Sequence, residues 1–186
     1  MKPELRHHLL PLVILYIFIS AIWLFNQIPY FEFIWLFLGF TLGSFFLDID
    51  HLIFWLYIRP KYEESQLAQA ALKNRDYHNL LRLLEITHKN HTSLIFHHYF
   101  FQIVLALLSF FVFTSSNSVL AMAFLLALNL HLLVDELTDF SQNPVHLQNW
   151  LFAREKKQLT VASLRYYLLT FSVLTVFYII LLINSR

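Results

Sequence analysis

The chain has 186 residues, 58% of them apolar, 18% aromatic and only 13% charged, with two Gly, no Cys and a formal net charge of +1. A water-soluble domain of this length cannot hide so much apolar surface in one core, so the composition specifies an integral membrane protein and excludes disorder, coiled coil and collagen. The absence of Cys excludes a disulfide scaffold, thiolate metal sites, iron–sulfur clusters and a cysteine nucleophile.

Crossing the hydrocarbon takes about 20 apolar residues. Five runs meet or approach that length: about 9–25, 33–58, 94–114, 119–138 and 161–184. The first is longer than a signal-peptide core and lacks a small-residue cleavage site around Ile19-Ser20-Ala21-Ile22-Trp23, so it is expected to be a retained span. The runs predict an all-α, polytopic membrane helix bundle of about five transmembrane helices, forming one domain over residues 1–186.

Orientation follows from the basic residues. In a five-span arrangement, twelve of the thirteen Lys and Arg fall on one side: near the amino end, between Arg59 and Lys89, and from Arg154 to Arg165. Arg186 alone is opposite. The positive-inside rule then places the amino terminus in the cytoplasm and the carboxyl terminus outside, in a cell (inner) membrane. The polar insert at about 60–93 carries Leu67, Ala70, Ala71, Tyr77, Leu80, Leu81 and Leu84 at helical spacing. It is expected to form an amphipathic helix or pair on the inner face of the bilayer, its basic residues near anionic lipid heads, or equally a small cytosolic lid docked on the spans. Glu63, Glu64, Asp76 and Glu85 dilute that basic patch, so no nucleic acid is expected as a partner.

Charges inside a span cost at least ~2.5–3.5 kcal/mol each on insertion scales. This chain nevertheless places Asp48, Asp50 and His51 in its second run, and His131, Asp135, Glu136, Thr138 and Asp139 in its fourth. The third is preceded by His88-Lys89-Asn90-His91-Thr92-Ser93 and then carries His97-His98. Asp48 and His51 share a helical face, as do His131 and Asp135, whereas Asp50 points elsewhere unless the helix breaks there. His88, His91 and His98 share a face if the third helix starts early. In the five-span topology all three clusters reach the inner interface at one depth.

Carboxylate and imidazole together suit a divalent transition metal such as Zn, Mn or Fe, and the number of candidates allows one or two ions. Such ions activate water for displacement at phosphorus without a Ser or Cys nucleophile. The expected metal ligands are Asp48, Asp50, His51, His131 and Asp135, with His88 or His91 completing the shell or acting as general acid. Lys89 or Arg82 is expected to hold an anionic group of the substrate, with Ser93 and Thr138 as further substrate contacts. His97 and His98 are adjacent, so at most one faces a site, and each reads as an interfacial or packing histidine. Glu136 and Asp139 read as charges at the membrane edge.

From Thr41 to Trp150 the pattern of small residues, Asp48-Ile49-Asp50-His51, the His/Ser element at 88–93 and His131-x-x-x-Asp135-x-x-Thr138 resembles the membrane-bound metal-dependent hydrolases, including the LexA-regulated inner-membrane type. Asn149-Trp150-Leu151-Phe152 stands where that family has an aromatic segment. The middle element departs from the family's His-Arg-x-x-Thr-His-Ser, being one residue shorter with His and Thr exchanged. The resemblance implies a metal-dependent hydrolase without fixing the substrate. A site at headgroup depth implies a phosphoester or other amphiphilic, lipid-like substrate. The alternatives are a non-enzymatic membrane protein: a divalent-metal or proton-coupled transporter, or a scaffold with a structural metal.

Overall fold

Apolar segments shielded from water satisfy their backbone groups internally, and a chain with two Gly and few turn residues does so as helices. In a computed structural model that describes residues 3–153, 155 and 159–186, every regular element is helical; the side chains of residues 3–8 and of Lys89 fall outside the description. The elements are α1 (Pro3–Phe25), α2 (Tyr30–Phe46), α3 (Ile49–Ile53), α4 (Glu63–Lys73), α5 (Tyr77–Thr87), α6 (Tyr99–Ser115), α7 (Val119–Gln142), α8 (Pro144–Leu151) and α9 (Val161–Asn184). Among the described residues, three helical segments are long and apolar enough to cross a membrane, namely Tyr30–Ile58, Val119–Gln142 and Val161–Asn184, while Leu9–Phe25 and Tyr99–Ser115 are apolar but shorter. Large side chains on the outer faces are exposed, Ile17 by 60% and Leu107 by 66% among them, as expected of surfaces that meet lipid.

α7 is the central helix, with Met122, Leu126, Leu132 and neighbours buried against α1, α2, α6 and α9. Its approach to α2 is unusually close. A Cβ on Gly39 would stand 2.6 Å from the Ala123 Cβ, and one on Gly43 would stand 2.6 Å from the Ala127 Cβ. The only two glycines of the chain thus make a small-residue seam between two helices running in the same direction. At one end of the bundle Arg186 pairs with Glu32 at 3.3 Å and donates to the Asn117 carbonyl. The titratable cluster lies at the other.

Two departures from regular helix shape that second end. The long α2 segment breaks at Leu47–Asp48, where Asp50 N–H bonds the Leu47 carbonyl (3.0 Å) and His51 N–H bonds the Asp48 carbonyl (3.2 Å). These i→i−3 bonds tighten the turn and carry Asp50 and His51 inward together, both buried, while Asp48 stays half-buried. After α3 the helix widens into a π-turn over Phe54–Ile58, closed by Arg59 N–H on the Phe54 carbonyl at 2.9 Å. Pro60 has no N–H to continue that ladder, and the Trp55 carbonyl accepts instead from Gln69 Nε2 of α4 at 2.9 Å.

The expected insert is a helical hairpin. α4 and α5 meet at Arg75, whose φ of 55° makes the turn, and Asp76 caps α5 by accepting from Asn79 N–H at 3.1 Å. Ala68, Leu80, Leu83 and Leu84 pack on Phe54, Trp55 and Leu94. Leu67, Tyr77 and Leu81 face outward.

The third run differs from expectation. Its helix begins at Tyr99, not near Leu94, and residues 91–98 form an irregular segment. Asp50 accepts the N–H groups of Ile95 (3.0 Å) and Phe96 (2.6 Å), and extended His98 caps α6 by accepting from Phe100 N–H at 3.3 Å. His88, His91 and His98 therefore share no helical stripe.

Candidate metal centre

α7 supplies two groups one turn apart. His131 Nε2 stands 3.4 Å from Asp135 Oδ2, and the irregular segment before α6 brings His97 Nε2 to 3.7 Å from the same oxygen. One ligand atom each from His97, His131 and Asp135 lie within 4.8 Å of one another, and both histidines are buried. These residues could hold a metal ion. Two imidazoles and one carboxylate are a donor set used by catalytic zinc sites, which leave a further position for water or substrate.

The other ring nitrogens are anchored. His97 Nδ1 lies 3.2 Å from Asp50 Oδ2, and His131 Nδ1 lies 3.1 Å from the Ser44 carbonyl in the last turn of α2. Carboxylate and carbonyl oxygens only accept, so the ring hydrogen in each case belongs on Nδ1 and the lone pair on Nε2, toward Asp135. An acceptor on the far ring nitrogen fixes the tautomer and orientation of a metal-binding histidine in this way. The Ser44 bond depends on the glycine seam, which brings the α2 backbone within reach of α7.

Of the expected ligands, His131 and Asp135 belong to this group, whereas Asp50, Asp48 and His51 lie around it. Asp50 spends both oxygens on Ile95 and Phe96 N–H and on His97, and is fully buried. Asp48 is half-buried on the turn before α3. His51 lies in a histidine cluster, its ring centroid 4.9 Å from those of His88 and His91 and 5.8 Å from that of His97. His51 Nδ1 and His91 Nδ1 are 2.6 Å apart, and His91 Nε2 faces Glu64 Oε1 at 3.4 Å. Phe54 stacks on the His91 ring at 4.1 Å. Burial lowers His91 to about 4 and raises Glu64 above its ordinary value.

Among the expected substrate contacts, Arg82 is exposed on α5, and Ser93 and Thr138 are half-buried. The Thr138 carbonyl accepts from Ser141 Oγ at 2.7 Å. Lys89 has its side chain outside the described residues.

Three further polar groups emerge only in the structure. His97 is central, not peripheral. Asp139 Oδ2 accepts from His146 Nδ1 (2.8 Å) and Trp150 Nε1 (2.7 Å), which fastens α8 and sets the Trp150 ring edge-on to His97 at 5.9 Å. Glu136 is fully buried, with Gln102 and Tyr167 alongside, and the Tyr167 hydroxyl donates to Gln102. On the hairpin, Tyr62, Glu63, Glu64, Leu67, Leu83 and Thr87 line an open groove of about 440 Å³.

No protein-family model, curated protein or solved structure matches the chain.

Proposed function

We propose that the chain is a membrane-embedded metal-dependent hydrolase whose His97, His131 and Asp135 hold a divalent transition metal ion. The observation that carries this reading is the buried His97–His131–Asp135 group with both imidazoles anchored through Nδ1. Such an ion lowers the pKa of bound water and polarises a phosphoryl or carbonyl oxygen, which is the chemistry of hydrolysis. Asp50 orients His97, the Ser44 carbonyl orients His131, and Asp135 supplies the negative charge of the donor set. The resemblance of the Asp-x-Asp-His and His-x-x-x-Asp elements to membrane-bound metal-dependent hydrolases supports the same reaction class.

The reading includes five spans, α1 and α6 being the shorter pair, with the amino terminus cytoplasmic. The distribution of Lys and Arg supports that orientation. It puts the site at the inner interface, where an amphiphilic phosphoester or other lipid-like substrate presents its polar group.

Elemental analysis of detergent-purified protein tests it. About one equivalent of a transition metal in wild type, lost in His131→Ala and Asp135→Ala, is expected for a site of this donor count. Wild-type protein purified without chelator that holds no metal and does not take up added Zn²⁺ or Mn²⁺ overturns the reading.

A further inference from the structure

The groove on the hairpin, about 440 Å³ in volume, is walled by Tyr62, Glu63 and Glu64 on one side and by Leu67 and Leu83 on the other residues that line it. That volume is in the range of small-ligand sites, ~300–1,000 Å³. The groove begins just past Ile58, where the apolar segment Tyr30–Ile58 ends. Tyr57 and Tyr62 are exposed at that level, as aromatic residues are at a membrane–water boundary.

The acidic groups of the groove are unmatched. Glu64 Oε1 stands 3.4 Å from His91 Nε2, a buried atom that makes no hydrogen bond, so the carboxylate receives no N–H there. His91 brings it no positive charge at neutral pH either, since burial lowers that imidazole to about 4. Burial raises Glu64 in turn, as it does a carboxylate that has lost water without gaining a cation. Glu63 is exposed in the first turn of α4. Positive charge stands at the Tyr62 edge, where the Arg59 guanidinium lies over the ring, 5.4 Å from its centroid, and Lys61 is exposed.

A head that carries an ammonium and a phosphate together satisfies both signs at once. A primary ammonium offers three N–H donors to the two carboxylates, whereas a quaternary one offers none. Guanidinium and Lys ammonium groups suit the phosphate. Leu67 and Leu83 give apolar surface to the chains that follow the head, which favours a lipid over a free headgroup. We propose that this groove binds an aminophospholipid, phosphatidylethanolamine, with its ammonium at Glu63 and Glu64 and its phosphate toward Arg59 and Lys61. The site is separate from the metal centre and does not depend on it.

Native mass spectrometry of the full chain in detergent tests this, with dioleoyl phosphatidylethanolamine, phosphatidylcholine and phosphatidylglycerol titrated in turn. Wild type is expected to hold phosphatidylethanolamine about 5–10-fold more tightly than either of the others. Glu63→Gln and Glu64→Gln are each expected to remove most of that preference. Arg59→Gln is expected to weaken phosphatidylethanolamine by about 3-fold. Equal affinity of wild type for phosphatidylethanolamine and phosphatidylcholine overturns the proposal. So does a preference that survives in Glu63→Gln, whose exposed side chain bears on no packing. A dimer that forms without lipid and is lost in Glu63→Gln also overturns it, and assigns the groove to a second copy of the chain.

Discussion

Asp50 and His97 meet at 3.2 Å in the buried end of the bundle, and the same carboxylate accepts the consecutive backbone N–H groups of Ile95 and Phe96. One side chain thus shapes the segment that carries His97 and sets the tautomer of its ring. Asp50→Asn turns an amide N–H toward groups that are themselves donors. It is expected to weaken Zn²⁺ or Co²⁺ binding by about 10–100-fold while leaving the far-ultraviolet circular dichroism helical. Asp48→Asn, on the half-buried turn, is expected to change metal affinity by less. A metal titration on both variants checks the order.

The glycine seam predicts a coupled loss. Gly43→Leu forces α2 away from α7, because even a Cβ there would come within 2.6 Å of the Ala127 Cβ and the Phe124 carbonyl. Overpacking of this kind costs about 1–3 kcal/mol or more. The His131 bond to the Ser44 carbonyl lies one residue along and should go with it. Lower thermal stability in detergent and weaker metal binding are expected together, whereas Leu107→Ala, on an exposed face of α6, should leave metal binding unchanged.

Acidification should loosen the hairpin. The unfolded chain protonates His91 near 6.5, while burial holds the folded group down to about 4. The unfolded state therefore binds more protons between those values, so the His91 contribution is complete above pH 6.5 and is lost as pH falls toward 4. Glu64, raised by burial, contributes in the opposite sense above its ordinary value and partly offsets this. Melting of metal-free protein across pH 7 to 4.5 should show a fall in midpoint that His91→Phe flattens. An equal slope in the variant would assign the effect elsewhere.

Asp139→Ala removes the acceptor of both His146 and Trp150. Hydrogen bonds to a charged group are worth about 1.5–3 kcal/mol each. Faster proteolysis within 144–153 is expected while α7 itself stays intact, read by mass spectrometry of limited digests.

His131 and Asp135 were legible from spacing, because both lie on one continuous helix where residues four apart face the same way. The helical character of the insert was legible too, since its apolar positions repeat with helical period, but not its fold-back or its packed face, because Leu67, Tyr77 and Leu81 point outward. His97 was not, because its approach depends on an irregular segment held by a distant carboxylate, which no local pattern in 91–98 encodes. Asp50 pointed away from the site on an ideal helix; the i→i−3 turn at Leu47–Asp48 rotates it inward, and the conditional reading of a break there was the only signal. Glu64 looked like one acid among several on a solvated face, and its partner lies 27 positions away in the chain. Gly39 and Gly43 were visible as the only glycines, but the seam they make needs Ala123 and Ala127 opposite, a pairing set by tertiary packing.

That seam bears on how such a chain can diverge. The outward Leu, Ile and Phe residues face a solvent that does not distinguish among them, so drift there is nearly free and soon erases overall similarity. Gly39 and Gly43 admit no side chain without α7 giving way, and the angle at which Ser44 meets His131 depends on that close approach. In remote copies of this protein, two small residues four apart shortly before an Asp-x-Asp-His, matched by two more ahead of a His-x-x-x-Asp, would outlast the rest of the sequence as its recognisable signature.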